Sequence, residues 1–435
     1  MYSRKTRSLF GIFSLALVIV LVLLVAGCGN STSTTTTAGP ATTAGPGTTA
    51  TPTTAAPSSD TTASAPITIK VGSLAALTGF FSAADTQNDR ELRMMADIIN
   101  EQGGLVINGQ KYVFEIATED TKSDVAGVKS AAELLVDNDK VKYAVETIGF
   151  FAVSANDVFE QAQVLHVNDY PTLLPDEINA NTPYKFAGTN GYPGNIVAAL
   201  AALKQNYPNV KTFVYAQPDD GTQKYAQTIL TDAASRVGLT QVGDIVTFAN
   251  DAVDMNATAT KIGLAKADAV IMTGMPAAAG GTFKALRTSG VTSPCVYVGA
   301  TSAADMTTVT GKDAANDIIT LGVFPDDPNN PPVLTEIYKR IIAKYGSVSF
   351  TGEFANCLYV IDKAMEKAQS VEPAAVKAAL ETMGTIDTIY GTGTLCGTKT
   401  YGTSAPHGVA HPCPVTLIKN GVGSSGGWVK DTVYP

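Results

Sequence analysis

Hydrophobic positions along the chain follow three regimes. From Leu9 to Ala26 they form one nearly unbroken apolar run, preceded by Arg4, Lys5 and Arg7. From Asn30 to Pro66 no hydrophobic side chain larger than alanine occurs among Thr, Ala, Ser, Pro and Gly, and Asp60 is the sole charge. From Ile67 onward, strand-like and helix-like patterns alternate almost to the end. Ile67, Ile69 and Val71 recur at period two, then Leu92, Met95, Ile98 and Ile99 at helical spacing, closed by Gly103-Gly104. Asn108-Gly109 marks a tight turn before a strand at 112–117. A helical stripe at Val125, Val128, Ala132 and Leu135 follows, then a strand at 141–148, a helix at 154–163 and a short strand at 164–167. Strands at 211–215, 241–248, 269–272 and 296–298 alternate with helices at 224–237 and 278–289. This βαβα order predicts an α/β fold of doubly wound parallel sheets with helices on both faces. More than 350 such residues exceed one comfortable sheet, so two lobes are expected.

The first two regimes read as an address and a tether. A basic segment followed by an apolar run is the pattern of an export signal. Eighteen apolar residues are borderline for a membrane span, and the end of the run decides between the two. Leu24-Val25-Ala26-Gly27-Cys28 resembles the lipobox of bacterial lipoproteins. The resemblance implies a signal peptide at 1–27, a diacylglyceryl group on Cys28, and anchoring to the outer face of the cytoplasmic membrane. Residues 28–66 cannot bury enough surface to offset their ordering entropy and are expected to be a disordered tether. Its root-mean-square reach is about 35 Å.

Charge then narrows the partners. The net charge of −9, with 39 acids against 30 bases, argues against nucleic acid. The folded body is more acidic still once the three leader bases are removed. A 45% hydrophobic fraction supplies a sizeable core.

Within the body, Ile69-Lys70-Val71-Gly72-Ser73 followed by Leu77-Thr78-Gly79 resembles the opening strand and loop of type I periplasmic binding proteins. More specifically, it resembles the branched-chain amino-acid (Leu/Ile/Val) receptors of ABC importers. Asn100-Glu101-Gln102-Gly103-Gly104, Ile107 to Lys111, Glu119-Asp120, Lys266 to Val270 and Ala285 to Gly290 are similar to further landmarks of that family, in its order. The resemblance covers about residues 67–420. It implies two lobes joined by a three-crossover hinge, lobe one at 67–187 and 302–390, lobe two at 188–301 and 391–435. It also implies a small-molecule ligand in the cleft and an ABC permease as membrane partner.

Ligands of open α/β sheets sit beyond the carboxyl ends of strands. The candidates in lobe one are therefore Phe80, Phe81, Phe150, Phe151, Asn168, Asp169 and Tyr170. Thr172 matches the family's hydroxyl after that loop. Lobe two offers the loops Asn190-Gly191-Tyr192, Asp219-Asp220-Gly221, Gly274-Met275-Pro276 and Ala300-Thr301, with Tyr192, Asp220 and Thr301 as their leading side chains. The resemblance implies that backbone amides and hydroxyls around Gly149 and at 168–172 hold the ligand's carboxylate and ammonium. The chain departs from the amino-acid receptors at Asp220, where they carry an aromatic residue. It departs again at 275–279, where no acid stands for the ammonium, and at Phe150-Phe151. Asp169 or Asp220 are the substitutes for that acid. Leucine and a different small carboxylate or amide both remain open as ligands, and core packing is the alternative role for the phenylalanines.

Four cysteines remain beside Cys28. In an exported chain Cys396 and Cys413 are expected to form a disulfide, with Cys295 and Cys357 free or paired. A zinc site from Cys396, His407, His411 and Cys413 is the alternative. His166, in an apolar strand, reads as a packed histidine. No nucleophile elbow, phosphate loop or dinucleotide motif occurs. No cofactor and no enzyme activity are expected. A sensory receptor of the same fold and a surface hydrolase are the rival readings.

Overall fold

The structure is a computed structural model that describes residues 65–435 apart from 250–251 and 347–349. The leader, Cys28 and all but the last two residues of the tether lie outside the described residues. The remainder forms two sheets. The first has nine strands in the spatial order Thr385–Thr388, Gly391–Cys396, Gly408–Ala410, Lys185–Ala187, Leu165–Asn168, Tyr143–Glu146, Ile67–Ala75, Gln110–Asp120 and Leu105–Ile107. The second runs Val422–Val429, Cys413–Lys419, Ile318–Thr320, Cys295–Tyr297, Ala269–Met272, Thr212–Pro218 and Thr240–Gln241. An eighth strand, Val246–Phe248, also pairs with Thr212–Pro218.

Period-two alternation builds the layers. In the first sheet Tyr143 and Val145 face one core while Ala144 faces the other. The first core is covered by the helices Ser82–Glu101, Pro332–Tyr345 and Glu353–Ala368, and the second by Val125–Asp137. In the second sheet Phe213 and Tyr215 face the helices Gly191–Asn206 and Gln223–Val237. Val214 and Ala216 face the side covered by Asn256–Leu264 and Pro276–Thr288. Each sheet is therefore buried on both faces, which is why its central strands read as near-continuous apolar runs.

The centres of both sheets are parallel, but the C-terminal strands are not. Thr385–Thr388 and Gly391–Cys396 pair antiparallel, as do Cys413–Lys419 and Val422–Val429. Each pair is joined by two residues, a connection too short for anything but a hairpin. At Asn420-Gly421 both φ angles are positive, at 51° and 72°, which suits a twisted two-residue turn.

The chain passes between the sheets three times, and two passages lie away from their expected positions. Ile318–Thr320 pairs with Cys295–Tyr297 in the second sheet, so lobe two continues past 302 to about residue 323. Gly391–Cys396 and Gly408–Ala410 belong to the first sheet, so only the chain from about 411 returns. The hairpin explains the second shift, because it holds both of its strands in one sheet.

Candidate functional site

The carboxyl ends of the first sheet are organised by an ion cluster with no solvent exposure. Parallel pairing sets Glu146 beside Asn168 and Asn168 beside Ala187. Glu146 meets His166 Nδ1 at 2.8 Å and Lys185 Nζ at 2.9 Å, and Lys185 also donates to Asn156 Oδ1 at 2.8 Å. Burial disfavours a charge on Glu146, yet Lys185 and His166 hold its carboxyl below the ordinary value. His166 is thus an ion-pair member packed edge-on against Phe159.

The side chains singled out from the sequence are placed unevenly around this end. Phe80 is 72% exposed. Phe81 packs edge-on against it and against Phe151, with centroids 4.8 and 5.5 Å apart. The Phe150 side chain lies outside the described residues. Asn168 donates to the Thr147 carbonyl, and Tyr170 Oη donates to the Val298 carbonyl at 3.2 Å, a direct bond from one sheet to the other. Thr172 gives both its backbone N–H and its hydroxyl to Glu177 Oε2, at 2.8 and 3.0 Å. Glu177 lies so close to Gly149 that a Cβ there would stand 1.6 Å from Glu177 Oε1. The carboxylate between Gly149 and Thr172 is thus the protein's own. In lobe two, Tyr192 is buried and bonded to Tyr215 and Gln217. Asp220 is exposed and accepts from Thr222 N and Oγ1 just before the helix Gln223–Val237. Thr301 is buried where Gly322 packs on its carbonyl, leaving no room for a Cβ.

A cavity open to solvent lies between the sheets. All three passages contribute to its wall: Thr189–Gly191 from the first, Leu321 and Val323 from the second, His411, Cys413 and Pro414 from the third. Thr351, Glu353 and Tyr390 complete one side, and Asn195 and Ala300 the other. Asn190, Gly191 and Ala300, from loops marked in the sequence, are in that wall, as are His411 and Cys413 of the alternative zinc set; the aromatic and acidic side chains chosen as ligand contacts are not. Asn190 stitches two passages together, donating to the His411 carbonyl at 3.0 Å and accepting from its N–H at 2.9 Å.

Around the cavity the first lobe gathers carboxyls. The helix Ser82–Glu101 presents Asp85, Asn88 and Glu91 at spacings of three on an inward face. Asp85 accepts from Thr147 Oγ1 and Ala76 N, and burial pushes it up to about 6. Glu91 accepts the N–H groups of Thr351 and Gly352 at 3.2 and 2.7 Å, fixing the start of the helix Glu353–Ala368. Burial raises Glu91 to about 7. Glu353 is pushed up to about 8, by burial first and by Glu91 second. Asp169, 3% exposed, is raised well above its ordinary value by burial and then by Glu353. Sequence reasoning missed Glu353, Thr351 and Tyr390 because they lie on a helix start and a strand turn, not in loops after parallel strands. The one available signal was an acid opening an amphipathic helix at Gly352-Glu353.

The expected disulfide is absent. Cys396 and Cys413 are both free and buried, as are Cys295 and Cys357. Cys396 ends a strand of the first sheet and Cys413 begins one of the second. Their surroundings push the thiols up, to about 11 and 12, chiefly by burial. His407 stacks on Phe186 and bonds the Lys185 carbonyl, while His411 stacks on Tyr390. Among the described residues no three His, Cys, Asp or Glu side chains converge as metal ligands.

Comparison with known proteins places this architecture. Residues 68–419 match the sequence profile of the periplasmic binding protein family. A Leu/Ile/Val-binding protein homologue of Brucella melitensis is 26% identical over 330 residues, covering 74% of this chain and 86% of that one. The branched-chain amino-acid substrate-binding protein LivJ of Streptococcus pneumoniae, solved with isoleucine, superposes with a TM-score of 0.64 at 21% identity, over 84% of this chain and all of that one. A solute-binding protein of R. palustris, solved with 4-hydroxybenzoate, gives 0.63 at 18% identity, over 84% and 98%. Two doubly wound lobes agree with the fold of these relatives. The chain belongs to the periplasmic binding protein family, with the type I fold of the branched-chain amino-acid receptors, and is a solute-binding protein rather than an enzyme.

Proposed function

We propose that this chain is the lipid-anchored capture subunit of an ABC importer, holding a small amino acid or a related organic carboxylate or amide between its lobes. The observation that carries the reading is the cavity at the three crossings. A solute lodged there touches every segment that connects the lobes, so its binding free energy differs between open and closed arrangements. Such a difference is what a ligand needs in order to shift a conformational equilibrium. The closed form then offers the permease a surface that the open form lacks. Leucine-like and aromatic solutes are both candidates, since relatives of this fold were solved with each kind.

Cys28 carries the anchor and residues 30–66 the tether in this reading. Among the described residues no helix is long and apolar enough to cross a membrane. A Cys28→Ser variant is expected to move from the membrane fraction to the soluble fraction and to lose labelling by radioactive palmitate. Persistence in the membrane with the label retained would remove the anchor from the account. For capture itself, a thermal-shift screen of amino acids, amides and aromatic acids tests the claim. Saturation at 100 times Kd stabilises the folded state by about 2.7 kcal/mol.

A further inference from the structure

We propose that the cavity selects solutes bearing a cationic nitrogen, held from lobe one by Glu353 at the cavity wall with Asp169 behind it. The inference rests on the solute-binding reading above and names the chemistry the site accepts.

Three observations carry it. Glu353 lines the cavity, and among the described residues its carboxyl makes no hydrogen bond or ion pair, unlike Glu91 and Asp85 of the neighbouring helix. Asp169 is 3% exposed, and its Oδ1 is buried without a partner. Its other oxygen receives Asn88 Nδ2 at 3.5 Å, the carboxyl also interacts with the Tyr170 backbone N–H, and no cation pairs with it among the described residues. Glu353 is the charge that acts on Asp169 most strongly. An acid in the cavity wall and a buried acid under its influence are therefore both without a cationic partner among the described residues. Leaving a buried acid unpaired costs free energy that a positive group entering the cavity would recover.

The described residues supply no such group. Among them no lysine or arginine is in the cavity wall. Lys185 is committed to Glu146 and Asn156, and Arg93 to Asp89 and Thr118. His411 is in the wall, but its Nδ1 bonds the Pro412 carbonyl, and burial lowers it to about 4, so it is neutral at physiological pH. A carboxylate, by contrast, finds the donors of Thr172 already bonded to Glu177. The site thus attracts an ammonium and offers little to an anion. An organic amine or amino-acid amide satisfies it, whereas a plain carboxylate does not.

The test uses the full chain, purified in a nonionic detergent at pH 8.5. Leucinol and phenethylamine carry the cation without a carboxylate. 4-Methylpentanoate and 3-phenylpropanoate are related carboxylates that lack the cation. Each is titrated by thermal shift and calorimetry. At least one amine is expected to bind tenfold or more tightly than its carboxylate counterpart. Glu353→Gln is expected to weaken that amine at least tenfold without lowering the melting temperature of the free protein. Glu353→Asp, which keeps the charge, should retain more of the affinity. Carboxylates binding as tightly as amines would overturn the cation assignment and leave solute capture standing. So would a Glu353→Gln variant whose amine affinity stays within twofold of wild type. If none of the four compounds, nor any in the wider screen, raises the melting temperature, solute capture fails together with the assignment built on it.

Discussion

Lys185 shows how much a single side chain can decide in this fold. Its ammonium has no solvent exposure, is paired with Glu146 at 2.9 Å, and also acts on the buried carboxyl of Glu177. Removing one member of a buried pair leaves the other uncompensated, which costs about 3–5 kcal/mol. Lys185→Met should lower the unfolding free energy by that amount in a urea titration, and an unchanged midpoint would contradict the ionised pair. Gly149 makes a second case. An alanine there collides with Glu177, and overpacking of this kind costs roughly 1–3 kcal/mol. The Gly149→Ala loss should largely disappear when combined with Glu177→Ala, as a double-mutant cycle would read. Neither role was legible beforehand. An apolar strand context hides the ion pairs of His166 and Lys185, because the partners come from neighbouring strands whose register is unknown. Glu353 was hidden differently, since an acid in the first turn of a helix is an ordinary residue. Only the cavity beside it makes it unusual.

At the scale of elements, the helix Glu353–Ala368 holds the site together. Its Asn356 donates to the Gly188 carbonyl at 2.7 Å and accepts from Ile389 N–H at 2.9 Å. It thereby ties the first passage between the lobes to the turn before Gly391. Asn356→Ala leaves two buried backbone groups unpaired, which costs roughly 2 kcal/mol or more. Amide hydrogen exchange at Ile389 should quicken, whereas unchanged protection there would show that the tie is dispensable. Helices and central strands were readable because burial on one stripe or on both faces leaves a period in the sequence. The helix that ends just before Gly103-Gly104, the strand at 112–117 and the strand at 269–272 all lie close to where the pattern put them. The antiparallel hairpins were not readable in the same way. Their strands carry Gly and Thr with little alternation, so nothing indicated which sheet they join. That gap moved two lobe boundaries, and the separate sheets of Cys396 and Cys413 accompany the missing disulfide.

For the molecule as a whole, the gathered carboxyls set the response to pH. Asp85, Glu91, Glu177 and Glu353 lie at about 6, 7, 7 and 8, each raised chiefly by burial. In the unfolded chain they titrate near 4. Between about pH 4.5 and 8 the folded state therefore holds more protons than the unfolded one, and stability falls as pH rises. Glu146, Asp120 and Asp327 are shifted the other way, and their contribution is lost only in more acid solution. The melting temperature of the ligand-free protein should be highest near pH 5 and decline toward pH 8, and a rise over that window would contradict these environments. The central claim concerns the cavity at the crossings, and calorimetric titration of the best solute from the screen into wild type and Ala300→Trp tests it most directly. Ala300 is in the cavity wall, and an indole there fills the space. The account predicts one solute per chain for wild type, and at least a tenfold loss for a folded Ala300→Trp variant. Undiminished binding by that variant would place the solute elsewhere and contradict the account.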